Sequence, residues 1–287
     1  MAIRRRLGVA LVATAAVALL EFWGGAVSHS LALLSDGVHV CTDVLALGLA
    51  LLAAIGAARP ADPRRTFGYG RIEVLGALVN GTLLLVATVA IVYEAARRFS
   101  APVEPSAGLM TLVAAIGLIV NGCVGLSLRS SGKTDLNVRA ALFHIFGDAL
   151  GGAGVILGGI VIGLTHLAWI DPLVSLFVAA IIVIGVVRVL RDATNVLLES
   201  VPGDVNTADL TAHMGRIPGV VGVHDLHIWS IASGAHALSA HVLLDDRRLS
   251  EAAEVLRDID ECVKAHFGIT HLTIQFECDN CPVPVQH

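Results

Sequence analysis

The chain is predicted to be a membrane α-helical protein. Six transmembrane helices precede a small C-terminal α/β domain of ferredoxin-like, open-faced sandwich type (αββαβ). Three observations predict this. Hydrophobic residues make up 55% of the 287 residues and charged residues only 15%, with mean hydropathy +0.78; a soluble domain carries about 25% charged residues. The apolar residues fall into long blocks parted by short charged breaks, each block long enough to cross a hydrocarbon core of about 30 Å. Beyond about residue 200 the blocks give way to short alternating and helical periods. No stripe of Lys and Arg with interleaved aromatics points to nucleic acid, and the net charge of −5 is too unevenly spread to indicate a partner.

The spans are read at 7–27, 31–57, 72–96, 107–128, 138–164 and 170–190. Arg4, Arg5 and Arg6 precede the first. It runs past Glu21 without a small-x-small cleavage pattern, so it is expected to be a retained helix. Pro102, Pro105 and Pro172 fall at span junctions, where they interrupt no hydrogen-bond ladder. The fifth span carries Gly147-xxx-Gly151 and Gly154-xxx-Gly158, spacings that allow close helix approach. They serve either tight packing or a helix that slides during a working cycle. Positive charges follow the even-numbered spans and precede the first: Arg59, Arg64, Arg65 and Arg71; Arg129, Lys133 and Arg139; Arg188 and Arg191. Only Arg97 and Arg98 lie opposite. The positive-inside rule then places both termini in the cytoplasm. The expected membrane is a bacterial inner membrane.

The domains are accordingly 1–199 in the membrane and 200–287 in the cytoplasm. In the tail, Asn206 to Ile217 reads as a helix stopped by Pro218-Gly219. Val220 to Ile231 and Ala235 to Leu244 read as a hairpin turning at Ser233-Gly234. Leu249 to Phe267 reads as a helix with Ser250 as a cap, and Thr270 to Glu277 as a last strand. A domain of about 85 residues folds only marginally alone, so a second copy or a metal is expected to support it.

Two histidine–aspartate pairs sit inside spans: His39 with Asp43, and His144 with Asp148. A four-residue step returns a helix to one face, so each pair is a two-ligand claw. Two facing claws supply the four N/O ligands of a zinc-type site. Ionisable groups at membrane depth are costly and mark ion or proton paths. An interhelical hydrogen-bond network is the structural alternative. Imidazole and carboxylate together suit Zn²⁺, with Co²⁺, Cd²⁺ and Ni²⁺ behind it. Asp36, one turn before His39, either lines the entrance or caps the helix. Glu21, Asn80 and Asn121 touch the path or bridge helices. The five cysteines do not form a secreted disulfide framework, but Cys278-Asp279-Asn280-Cys281 has the two-residue spacer of paired zinc thiolates; a redox pair or an inert end are the alternatives. His29, His166, His213 and His266 are read as surface or loop residues.

Leu34-Ser35-Asp36-Gly37-Val38-His39 through Asp43, Phe67-Gly68-Tyr69-Gly70-Arg71-Ile72-Glu73, Asn137-Val138-Arg139-Ala140 through Asp148, and His224-Asp225-Leu226-His227-Ile228-Trp229 resemble separated motifs of the cation diffusion facilitator family. The resemblance spans nearly the whole chain and is to the zinc-transporting branch. It implies a homodimeric metal/proton antiporter that exports Zn²⁺ from the cytoplasm. It also implies that His224, His241 and Glu277 bind metal in the cytoplasmic domain, and that Arg71 and Glu199 form a charge lock near the dimer centre. Two departures stand out. Ser130 to Asn137 lacks a histidine-rich loop. Arg59 to Gly70 offers only Asp62, so no metal site is expected there.

Metal ligation needs neutral imidazole and ionised carboxylate, so metal and protons compete for one site. That competition suits proton-coupled alternating access, with Zn²⁺ as cargo and as regulatory ligand of the tail. Two rivals are a membrane-anchored zinc sensor and an intramembrane metalloenzyme. The second needs an open metal position and a general base, and no His-Glu-x-x-His occurs.

Overall fold

The structure, a computed structural model, describes residues 2–57, 61–129, 136–232, 234–245 and 248–278. Asp43 and His144 are described as helical backbone only; their side chains lie outside the described residues. Six long helices come first: α1 (Ala2–Ser28), α2 (Leu31–Ala57), α3 (Arg71–Ser100), α4 (Ala107–Arg129), α5 (Leu136–Thr165) and α6 (Ile170–Leu197). They extend the predicted spans by a few residues at most ends. Five have described stretches long and apolar enough to cross a membrane; in α2 the described apolar stretch is Leu31–Thr42.

The chain divides into two compact units, residues 1–51 with 76–190, and 52–75 with 191–287. In the first, Leu33, Met110, Val113, Val155, Ile162, Val178 and Ile182 form the packed interior. Leu19, Val86, Ile119, Leu164 and Ile184 point outward, as lipid-facing side chains must. The glycines of α5 are explained by their neighbours. A Cβ on Gly158 would stand 2.8 Å from Val174 Cγ2 on α6, and one on Gly159 would collide with Thr111 Oγ1 on α4. Small residues here set how closely three helices approach.

The α1–α2 turn is tied by a group far away in sequence. Asp171, at the start of α6, is fully buried. Its Oδ1 accepts from Ser30 Oγ at 2.6 Å and from the Ala32 amide at 3.2 Å; its Oδ2 accepts from the Leu31 amide at 2.7 Å. The Leu31 and Ala32 amides are free N–H groups at a helix start, here capped by another helix. Arg98 Nη1 lies 3.2 Å from the same carboxylate and donates to the His29 carbonyl at 2.6 Å.

The second unit contains the C-terminal fold: α7 (Thr207–Met214), β1 (Val220–Ala232), β2 (Ala235–Leu244), α8 (Leu249–Phe267) and β3 (Ile269–Cys278). Asn206 caps α7, its Oδ1 accepting from the Ala208 and Asp209 amides. The sheet order is β1-β2-β3, with β1–β2 antiparallel and β2–β3 parallel. A parallel neighbour needs a crossover, and α8 supplies it. Alternate residues Leu238, Ala240, Val242 and Leu244 are buried beneath α7 and α8, against Leu210, Met214, Val255, Ile259 and Val263. The other parity, including His241, lies on the opposite face of the sheet. Ser250 does not cap α8: it lies in the first turn, and Glu251 closes the end instead by accepting the Arg248 amide at 3.2 Å. The glutamate side chain is long enough to reach back to the helix start.

Candidate metal centres

His39 and Asp148 meet across α2 and α5, with His39 Nε2 3.0 Å from Asp148 Oδ1 and both side chains about one-seventh exposed. The histidine of one claw therefore faces the aspartate of the other. Helical phase puts Asp43 one turn beyond His39 and His144 one turn before Asp148. Asp36 is 5% exposed and lies well inside α2, so the capping alternative does not hold. Its carboxylate sits over α5, with Oδ1 3.3 Å from where a Cβ on Gly151 would stand. Glu21 is 1% exposed and packs against Gly37 and Gly117. Asn80 Oδ1 is buried without a hydrogen-bond partner among the described residues.

In the second unit, His224, His241 and Glu277 each offer a ligand atom within 4.8 Å of the others. The sheet makes this possible. His224 and His241 are register partners on β1 and β2, and Glu277 stands beside them on β3. Glu277 Oε2 is 2.9 Å from His224 Nε2, and its Oε1 is 2.9 Å from His241 Nδ1. One carboxylate thus bridges two imidazoles whose ring centroids are 5.3 Å apart. Gln275 Nε2 donates to Glu277 Oε1 at 3.3 Å, so it orients the carboxylate.

Asp225 was missed as a site residue. The β1–β2 register shifts between His224 and His227, and Asp225 takes φ +48 there. This bulge turns its carboxylate to 3.6 Å from His241 Nε2 and 3.0 Å from His227 Nε2. Asp225 hydrogen-bonds His227 and stands as a counter-charge, beyond hydrogen-bonding distance, behind the far nitrogen of His241, the side from which a carboxylate supports an imidazole that ligates metal. The signal was present in the His-Asp-Leu-His run, but only a bulge puts Asp225 on the histidines' side.

Cys278, at the end of β3, is disulfide-bonded, and a disulfide sulfur is not a thiolate ligand. Cys281 lies outside the described residues. Arg71 and Glu199 do pair, with Nη2 2.8 Å from Oε1. Glu199 stands just beyond α6 in a left-handed turn, φ +57. Asp62 is a turn hub: its carboxylate accepts from the Arg64 and Arg65 amides and the Tyr69 hydroxyl. The Tyr69 hydroxyl, then the amides, hold it below its ordinary pKa. His29 and His166 lie in turns with positive φ, while His213 and His266 lie on α7 and α8, their rings 5.3 Å apart.

Two family models match. Residues 7–198 fit the cation efflux transmembrane domain and residues 202–279 the cation efflux protein cytoplasmic domain. The metal cation efflux system protein CzcD of Cupriavidus metallidurans is 40% identical over 96% of this chain and 87% of its own. The cadmium, cobalt and zinc/H⁺-K⁺ antiporter of Bacillus subtilis is 39% identical over 91% and 85%. The zinc transporter ZitB of Escherichia coli is 38% identical over 99% and 90%. The metal-bound C-terminal domain of the Cupriavidus protein is a solved structure, 40% identical, covering 25% of this chain and 99% of that one with a TM-score of 0.24. Both halves match family models and relatives well above 30% identity align almost end to end, so the chain belongs to the cation diffusion facilitator family and is a multi-pass membrane transporter for metal cation efflux, not an enzyme.

Proposed function

We propose that the chain exports divalent cations, chiefly Zn²⁺, with Cd²⁺ and Co²⁺ as further substrates, in exchange for protons. The transport site is His39, Asp43, His144 and Asp148. The observation that carries this is the 3.0 Å contact between His39 and Asp148 on two separate helices at membrane depth. A buried imidazole and carboxylate facing each other present a nitrogen and an oxygen to one point. Relatives named for zinc, and for cadmium and cobalt, support the cargo.

The cycle follows from ligand chemistry. The site binds metal only with imidazoles neutral and carboxylates ionised. Loading from the cytoplasm therefore releases protons, and protons arriving from the other side displace the metal. One site alternately carries both ions. Both termini are placed in the cytoplasm, and the membrane is a bacterial inner membrane.

His224, His241 and Glu277, with Asp225 behind His241, form a cytoplasmic sensor site. Cys278 and Cys281 join it only when reduced. A ligand that binds the folded domain stabilises it by mass action, so zinc in the cytoplasm would firm up the sheet. The working unit is a homodimer, with the Arg71–Glu199 pair near its centre.

The test is Zn²⁺ uptake into proteoliposomes with and without an imposed pH gradient, for wild type and Asp148→Ala. Gradient-driven uptake that vanishes in the variant is expected. Uptake that persists in Asp148→Ala sinks the site assignment. A wild type that binds zinc tightly but moves none favours the second reading, a membrane-anchored zinc sensor, which the compact cytoplasmic cluster would serve.

A further inference from the structure

Glu21 is a buried ionisable group that the transport site does not use. It sits in α1 at 1% exposure, and among the described residues its Oε2 has no hydrogen-bond partner. Glycines make room for it on two sides. A Cβ on Gly37 of α2 would stand 3.2 Å from Glu21 Cβ, and one on Gly117 of α4 would collide with Oε1. Asp36 adjoins Gly37 on α2. Its Oδ1 and Oδ2 lie 3.3 and 3.7 Å from where Cβ atoms on Gly151 and Gly152 of α5 would stand. Glu21 therefore packs beside the α2 residue next to Asp36, and among the described residues no Lys or Arg pairs with Glu21. Glu21 of α1 and Asp36 of α2 thus stand against glycines of α2, α4 and α5, at a depth where the unpartnered Glu21 oxygen is costly. A cation relieves that cost.

The place along the path is set by helical phase. Asp36 precedes His39 by three residues on α2. Gly151 and Gly152 follow Asp148 by three and four on α5. The Asp36 carboxylate is therefore about one turn, ~5 Å, from the His39–Asp148 contact, toward the α1–α2 connection. With both termini cytoplasmic, that connection is extracytoplasmic.

We propose that Glu21 and Asp36 form a second divalent-cation station, one turn outward from the transport site, that receives the metal as it leaves. The proposal rests on the transport reading above. Its oxygen-only donors hold a zinc-type ion less tightly than imidazole and carboxylate together. An exit station needs that difference: strong enough to draw the ion from the first site as protons arrive there, weak enough to surrender it to water.

The experiment uses the full chain in proteoliposomes with Zn²⁺ on either side. Glu21→Gln and Asp36→Asn are compared with wild type. The expected result is a split: loading-side KM within twofold, maximal rate down at least tenfold, and inhibition by release-side Zn²⁺ weakened at least tenfold. Rates and release-side inhibition within twofold of wild type overturn the station. So does a loss of loading affinity equal to that of Asp148→Ala, because Glu21 would then belong to the first site. Zn²⁺/Cd²⁺ counterflow at wild-type rate without a pH gradient, with only proton-driven uptake lost, also overturns it, because the carboxylates would then carry protons. If Glu21→Gln does not fold, Gly151→Ala, which crowds Asp36 while keeping every charge, must show the same split. The transport reading fails separately, when wild type shows no gradient-driven uptake or Asp148→Ala keeps it.

Discussion

Asp171→Asn is the substitution whose effect the structure fixes best. The carboxylate has no solvent exposure. It accepts three hydrogen bonds from the first turn of α2 and pairs with Arg98 at 3.2 Å. Asparagine has the same shape, but it replaces one accepting oxygen with an NH₂ that points donors at donors. At least one hydrogen bond to a charged group is lost, each contributing ~1.5–3 kcal/mol, and Arg98 keeps its charge at 12% exposure. Breaking a buried ion pair from one side costs about 3–5 kcal/mol. Arg98 retains Glu94 Oε1 at 3.3 Å and the His29 carbonyl, which puts the cost at the lower end, ~3 kcal/mol. At about 2–4 °C per kcal/mol, the thermal midpoint in detergent should fall by roughly 6–12 °C. The assay is tryptophan fluorescence during heating, with Trp23 in α1 and Trp169 just before α6 as reporters. Asp171→Leu combined with Arg98→Met, which removes both charges, should recover much of the loss. A fall under about 2 °C, or a double variant no better than the single, would refute the view that this carboxylate caps α2.

Three further outcomes are expected. Asp225→Asn should weaken zinc at the cytoplasmic site about 10- to 100-fold by calorimetry on the detergent-solubilised protein, while Glu277→Ala removes the bridging ligand and should cost more; equal, small effects would leave the cluster a hydrogen-bond network. A reductant should raise zinc affinity at the same site in wild type but not in Cys278→Ser, and an identical response in both would exclude the thiols. Asp62 has a folded pKa below its unfolded value, so its contribution to the loop is present above that unfolded value, about 3.9, and is lost as pH falls through the depressed one. Tyr69→Phe removes the largest cause of the depression. It should bring acid loosening of the Arg64 and Arg65 amides, seen by hydrogen exchange, to higher pH; no change would assign the loop's order elsewhere.

The six helices were legible because lipid admits little else. Long apolar runs must pair their backbone internally, and arginines mark the breaks. The αββαβ tail was legible from its periods, and Ala235–Leu244 and Leu249–Phe267 came out residue for residue. The direction of β3 beside β2 was not, since an alternating strand reads the same parallel or antiparallel. Within the sites, the His-x-x-x-Asp spacing is a local property of helix phase, and of its four members His39 and Asp148 meet at 3.0 Å. Asp171 could not. Its partners are Ser30, Leu31 and Ala32, some 140 residues away, and nothing local marks Asp171-Pro172 as more than a helix start. Asp225 needed a bulge, which breaks the alternation that sequence reading relies on. Ser250 misled because a serine near a helix start is the commoner cap, while Glu251 does the closing.

The Asp171 clamp also decides how α2 can move. A helix held at one end pivots there, and the reach to a given level sets how far that level travels. From Leu31 to His39 is about 12 Å of helix. A tilt of about 10° about the clamped end would shift the His39 level by ~2 Å. That is about one coordination-bond length, so a tilt small enough to spare the clamp would still part His39 from Asp148.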